Sequence, residues 1–118
     1  MSEIEDYLHD ILIHLNYVEQ FTSEGKNAFL QDEKTQFAVM RAYEIIGEIV
    51  KRLPASLLLT QPQMNWQTLR RFRDFLAHNY GDIDLVTIWA AVEDLPNLRA
   101  AVEAMLAELD DAGDEAHE

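Results

Sequence analysis

One short segment concentrates the side chains that could do chemistry. Residues 70–81 read Arg-Arg-Phe-Arg-Asp-Phe-Leu-Ala-His-Asn-Tyr-Gly, so three arginines, an aspartate, a histidine and a tyrosine are close neighbours in sequence. Cleavage of RNA without a metal needs a proton removed from the attacking 2′-hydroxyl, charge stabilised on phosphorus, and a proton supplied to the leaving 5′-oxygen. A histidine and an arginine can supply these functions.

The candidate catalytic residues are therefore His78, Arg73 and Asp74. Histidine exchanges a proton near neutral pH, which suits His78 to serve as general acid or base. Arginine stays charged and can hold a phosphate through two parallel hydrogen bonds, which suits Arg73. Asp74 could orient the side chain of either His78 or Arg73. Arg70 and Arg71 are candidate substrate-binding residues, with solvated helix charges as the alternative interpretation.

Helix geometry limits what this segment can do alone. On an ideal helix Arg73 and His78 point about 140° apart, whereas Asp74 and His78 share a face, as do Arg73 and Tyr80. Two arrangements could bring Arg73 and His78 together: a distorted helix end just before Gly81, or a two-fold dimer in which this helix meets its copy. We favour the dimer.

The elements that position the segment are helices. Apolar residues at three-and-four spacing predict a first helix over residues 3–22 and a second that Asp32 caps and that ends near Pro54. Gly25 and Lys26 break the pattern between these two helices.

The second half of the chain continues the helical pattern. A short helical turn is expected within residues 54–60, and a third helix should run from Trp66, after an Asn65 cap, to about residue 79, with Gly81 as its stop. Asp84 should cap a fourth helix, and Pro96 either kinks that helix or opens a fifth.

These patterns predict an all-α fold, an antiparallel helical bundle of four to five helices in a single domain over residues 1–110. No strand-like alternation persists, no repeat is visible and the loops are short. Residues 111–118 are predicted to form an acidic, disordered tail.

Composition narrows the function classes. Cysteine is absent from the 118 residues, which excludes disulfides, thiolate zinc sites and a cysteine nucleophile and favours a cytoplasmic location. The acidic first residues do not resemble a secretory signal, and no apolar stretch approaches the roughly 18 residues of a membrane span. We expect neither export nor membrane insertion.

The net charge of −13 argues against general affinity for nucleic acid. The distribution matters more than the total, because residues 41–73 hold six basic and two acidic side chains. From Glu108 onward the last eleven residues hold six acids and one histidine. The positive charge is therefore concentrated in the middle of the chain.

The segment Arg73-x-x-x-x-His78-x-Tyr80 resembles the R-x-x-x-x-H-x-Y motif of HEPN ribonucleases, specifically the HepT-like toxin family. The resemblance covers almost the whole chain. Its further matching positions are Asp10-Ile11-Leu12, Ala42 through Gly47-Glu48, Lys51, Trp66, Trp89 and Leu95-Pro96-x-Leu98. Asp74 departs from the asparagine that many members carry after the motif arginine, which leaves its role open.

This resemblance implies a HEPN-like homodimer with a composite site at the two-fold interface, and cleavage of RNA, such as tRNA, to 2′,3′-cyclic phosphate ends without metal or cofactor. It also implies a toxin-antitoxin pair of type VII, in which a cognate minimal nucleotidyltransferase (MNT) transfers AMP from ATP to Tyr80. The added bulk and negative charge beside His78 would block an anionic substrate.

The candidate site residues also have non-catalytic interpretations. Arg73, Asp74 and His78 could form surface ion pairs, and Tyr80 could simply pack at a helix end. His9, His14 and His117 are read as surface residues, and Glu48 is left outside the catalytic set. The alternative function is a non-catalytic helical adaptor that presents substrate to a nucleotidyltransferase.

Overall fold

The computed structural model describes residues 2–78 and 84–116, with the side chains of residues 112–116 left aside. Within these ranges the structure holds seven helices and no strand, which confirms the all-α prediction. The helices are α1 (Glu3–Phe21), α2 (Lys26–Gln31), α3 (Glu33–Arg52), α4 (Ala55–Leu58), α5 (Trp66–His78), α6 (Leu85–Glu93) and α7 (Leu95–Ala116).

Helix α1 begins where the capping pattern predicted. The Ser2 hydroxyl accepts a hydrogen bond from the backbone N–H of Glu5 at 3.1 Å, which satisfies a donor that the first turn leaves free. Four side chains of its apolar face are fully buried: Leu8, Ile11, Leu15 and Val18.

Helix α2 corrects the prediction from sequence, which gave only a break in the helical pattern at Gly25 and Lys26 and no helix after it. Gly25 has φ +94°, a conformation that favours glycine, and it starts a six-residue helix. Six residues make fewer than two helical turns, which is too short a stretch to show helical periodicity. The helix buries Phe29 against Trp89, with ring centroids 5.3 Å apart.

Helix α3 has the predicted boundaries. The carboxylate of Asp32 accepts from the backbone N–H of Lys34 at 3.1 Å, and the helix ends at Arg52, just before Pro54. After the proline, α4 forms the expected short turn of helix. The indole N–H of Trp66 donates to the Leu58 carbonyl at 3.1 Å and ties α4 to the start of α5.

Helix α5 starts at the predicted cap, where Asn65 accepts from the backbone N–H of Thr68 at 3.1 Å. It is helical through His78. The predicted stop at Gly81 lies outside the described residues.

The structure resolves the alternatives at Pro96. Asp84 caps α6 by accepting from the N–H of Val86 at 2.9 Å, and α6 ends at Glu93. Pro96 then lies in the first turn of a separate helix, α7, where its missing N–H costs no helical hydrogen bond. Helix α7 continues to Ala116 and so extends beyond residue 110, the predicted end of the domain.

Helix α3 lies at the centre of the bundle. It packs against α1, α2 and α5, while α7 packs against α1 and α6. Tyr43 joins three helices, because its hydroxyl donates to the Ala91 carbonyl of α6 at 2.8 Å and its ring meets Phe72 of α5 edge-on. Among the described residues, no helix combines the length and apolar character that a membrane crossing requires.

Candidate active site

The site begins with a close approach between α3 and α5. A Cβ atom placed on Gly47 of α3 would overlap the Cβ of Arg73 and lie 3.2 Å from the Leu69 carbonyl of α5. Glycine is therefore required at position 47 for the observed packing, and the side chain of Arg73 starts directly against the α3 backbone.

The guanidinium of Arg73 lies between two carboxylates. Its Nε is 3.0 Å from Oε2 of Glu48 on α3, and its Nη1 donates to Oδ1 of Asp74 at 3.2 Å. The Arg73 side chain is 28% exposed, so its ionic contacts are partly shielded from water. The arginine is thus held from its own helix and from the neighbouring one.

Lys51 completes this cluster, which we call the Arg73 network: Glu48, Lys51, Arg73 and Asp74. The Lys51 ammonium donates to Oδ1 of Asp74 at 2.7 Å. That bond, followed by the contact with the Arg73 guanidinium, lowers the pKa of Asp74 below its usual value. Asp74 therefore stays ionised, and the two positive and two negative charges of the network cancel.

The network leaves part of Arg73 available. Nε lies against Glu48 and Nη1 donates to Asp74, while Nη2 makes no hydrogen bond to another residue within the described part of the chain. Arg73 also lines a groove that His14 of α1 and Arg52 of α3 line with it. An anionic oxygen could bind Nη2 without displacing either carboxylate.

His14 lies in this groove, although its sequence context suggested only a surface position. Its side chain is partly buried, and its Nδ1 is 2.8 Å from the carbonyl of Asp10. Its ring also meets Tyr17 edge-on. The sequence offered no signal for this placement, because it depends on how α1 packs against α3.

Helix α5 is α-helical from Trp66 to His78, and on an ideal helix the side chains of Arg73 and His78 point about 140° apart. The alternative of a distorted helix end just before Gly81 falls on residues outside those that the structure describes. Arg73 contacts α3, whereas His78 is exposed at the last described position of the helix.

The remaining predicted site residues, Arg70, Arg71 and Tyr80, differ in their surroundings. Arg71 is exposed on α5 and free to meet a ligand in solution. Arg70 is partly buried beside α4, and its Nε has no hydrogen-bond partner among the described residues. Tyr80, the predicted modification site, lies outside the described residues.

Besides His14, sequence reasoning missed Gly47 as the close-packing position, Glu48 as the partner of Arg73 and Lys51 as the partner of Asp74. Lys51 lies four residues after Gly47 and three after Glu48, so the three residues share one side of α3. That spacing was visible, but nothing local to α3 says which helix its face meets. In the portion described by the structure, no three histidine, aspartate or glutamate side chains cluster as metal ligands would.

Comparison with known proteins gives the family of the chain. Residues 11–105 match the family model described as ribonuclease HepT-like. A probable ribonuclease HepT of Thermococcus cleftensis is 42% identical over 103 residues, covering 86% of this chain and 94% of that protein. A candidate RNase of Methanocaldococcus jannaschii is 34% identical over 111 residues, covering 92% of each chain. No solved structure gives a significant match. The chain belongs to the ribonuclease HepT-like family of RNA-cleaving enzymes.

Proposed function

We propose that this protein is a metal-independent endoribonuclease that cuts RNA, with tRNA as a candidate substrate, and leaves 2′,3′-cyclic phosphate ends. The observation that carries the proposal is the placement of Arg73, whose guanidinium is held by Glu48 and Asp74 while Nη2 remains available. A fixed cation with an open donor is what charge development on a phosphate needs.

The proposed reaction uses few groups. His78 takes the proton of the 2′-hydroxyl, whose oxygen forms a bond to phosphorus as the bond from phosphorus to the 5′-oxygen breaks. A histidine then supplies a proton to that leaving oxygen. Arg73 stabilises the charge on the phosphoryl oxygens, and Asp74 helps to fix the Arg73 guanidinium. Arg71 and Arg70 are proposed to contact the substrate backbone.

We further propose that the working form is a two-fold homodimer with the site at its interface. Support comes from α5, which is a regular helix through His78 and directs Arg73 and His78 to different sides. In a dimer the arginine of one subunit can face the histidine of the other. Each of the two interface sites then holds one Arg73 and one His78, contributed by different subunits.

Regulation is proposed to act through Tyr80 in a type VII toxin-antitoxin pair. A cognate MNT antitoxin would join the Tyr80 phenolic oxygen to the α-phosphorus of ATP, releasing pyrophosphate and the phenolic proton. The attached AMP adds negative charge two residues from His78, where an RNA phosphate would otherwise bind. Mass spectrometry after co-expression with the nucleotidyltransferase should find added AMP on the peptide that contains Tyr80.

The direct test is RNA cleavage by purified protein in EDTA. Wild type should release fragments with cyclic-phosphate ends, and His78→Ala and Arg73→Ala should each lose most of this activity. Arg99→Ala is the matched control, because Arg99 is 24% exposed and pairs with Glu19 of another helix, away from the Arg73 network. Equal cleavage by wild type and both site variants would overturn the proposal and favour the adaptor function.

A further inference from the structure

We propose that Glu48 is a positioning residue of this site, which holds the Arg73 guanidinium so that Nη2 is directed to the substrate phosphate. The inference rests on the proposed ribonuclease function. It assigns a task to a side chain that has no part in the proton transfers, and it rests on the 3.0 Å contact between Glu48 Oε2 and Arg73 Nε.

Contacts at two nitrogen atoms fix a guanidinium more firmly than a contact at one. An arginine side chain has several rotatable bonds, and a single contact leaves its plane free to turn. Glu48 at Nε and Asp74 at Nη1 contact two different nitrogen atoms, so together they define both the position and the plane of the group. Nη2 is then the guanidinium nitrogen that makes no hydrogen bond within the described part of the chain.

The two carboxylates differ in where they are anchored. Asp74 follows Arg73 directly on α5 and moves with it, whereas Glu48 belongs to α3. Lys51, three residues after Glu48, ties Asp74 to the same face of α3 at 2.7 Å. Helix α3 therefore serves as the frame for Arg73, and the close approach at Gly47 sets the distance between the helices.

Charge distinguishes positioning from substrate binding. A carboxylate beside a phosphate-binding arginine repels the substrate, so Glu48 lowers the affinity for RNA while it raises the rate once RNA is bound. Removal of its charge should consequently leave KM unchanged or lower and reduce kcat. A residue that only stabilised the fold would not produce this division.

The kinetic test compares Glu48→Ala and Glu48→Gln with Glu19→Ala. Glu19 is the matched control, because it also pairs a carboxylate with an arginine of another helix, Arg99, at 2.8 Å. We expect Glu48→Ala to lower kcat about 10- to 100-fold with KM no higher than in wild type. Glu48→Gln, which keeps a carbonyl oxygen near Nε, should recover part of the loss, and Glu19→Ala should leave kcat unchanged.

A double variant adds a second criterion. When Arg73 is already alanine, Glu48→Ala should cause little further loss of cleavage, because Glu48 acts through Arg73. Independent, multiplicative losses would overturn the proposal, and so would a wild-type kcat in Glu48→Ala or a rise in KM with kcat unchanged.

A measurement without substrate separates this inference from the proposed function. Nitrogen-15 spectra of the arginine side chains should show the Nε–H resonance of Arg73, assigned by its loss in Arg73→Lys. Glu48→Ala should shift that resonance, whereas Glu19→Ala should not. If wild type cleaves no RNA, the proposed function fails. If the Arg73 resonance is unchanged by Glu48→Ala, the positioning role is overturned, whether or not the protein cleaves RNA.

Discussion

Gly47 of α3 lies so close to Arg73 of α5 that the two helices leave no room for a side chain at position 47. Gly47→Ala should therefore push α5 outward and misplace Arg73. We expect the free energy of unfolding to fall by about 1–3 kcal/mol, as for other overpacked positions. Cleavage per folded molecule should fall as well. Chemical denaturation and an RNA cleavage assay measure the two effects.

Gly25→Ala is a useful control for this variant. Nothing lies within 4 Å of a Cβ placed on Gly25, but its φ of +94° strains any other residue. Stability should fall by about 1 kcal/mol without a change in cleavage per folded molecule. If both alanine variants cleave as wild type does, the close approach at Gly47 is not needed for the site.

The ion pair of Lys51 with Asp74 should make stability depend on pH in the acid range. Asp74 has a lowered pKa in the folded protein, so its contribution is present above the pKa of an unfolded aspartate and is lost as pH falls through the lower, folded value. The difference in thermal midpoint between wild type and Asp74→Asn should therefore shrink on acidification. Half of the Asp74 side chain is exposed, so the effect will be small.

Lys51→Met tests the cause of that pKa shift. Carbon-13 titration of the Asp74 carboxyl should show its pKa moving back toward the usual value of 3.8, because the Lys51 hydrogen bond contributes most to lowering it. An unchanged titration in Lys51→Met would contradict this assignment. Lys34→Met is a control, since Lys34 lies at the start of α3, far along the helix from Lys51.

The dimer proposal predicts complementation between two inactive variants. Arg73→Ala and His78→Ala subunits, unfolded and refolded together, should regain about a quarter of wild-type cleavage, since half the dimers are mixed and each has one intact site. Size-exclusion chromatography with light scattering should give the mass of two chains. Failure of the mixture to exceed either variant alone would show that each subunit holds its own site.

Tyr43 should matter for stability and not for cleavage. Its hydroxyl donates to the Ala91 carbonyl at 2.8 Å, and Tyr43→Phe removes that bond at a cost of about 1 kcal/mol in unfolding free energy. Burial, and after it the charge of Asp94, raises the pKa of Tyr43, so the phenol remains a donor at neutral pH. The expected variant is less stable but cleaves RNA normally.

The same pKa shift sets the alkaline behaviour of Tyr43→Phe. A raised folded pKa means that the tyrosine contributes its stability below the pKa of an unfolded tyrosine and loses it as pH rises through the folded value. The difference in unfolding free energy between wild type and variant should be constant near neutrality and shrink in strong alkali. A constant difference up to alkaline unfolding would contradict the raised pKa.

The helices were predictable to the extent that their signals are local. Ser2, Asp32, Asn65 and Asp84 each accept from a backbone N–H two or three residues ahead, so the sequence next to each cap suffices to place the helix start. Helix α2 escaped prediction because six residues display no period. Whether Pro96 kinks one helix or begins a second depends on how α6 and α7 pack, and the sequence around Pro96 does not indicate that packing.

The family, the order of the main helices and the candidate residues Arg73, Asp74 and His78 could be read from the amino-acid sequence, because the motif and the caps each span only a few residues. The contacts of Glu48 with Arg73 and of Lys51 with Asp74, across a gap that Gly47 keeps narrow, are visible only in the folded chain. These partners are 23 to 25 residues apart in the chain. Their contacts arise from packing of one helix face on another, which the periodicity of either helix alone does not specify.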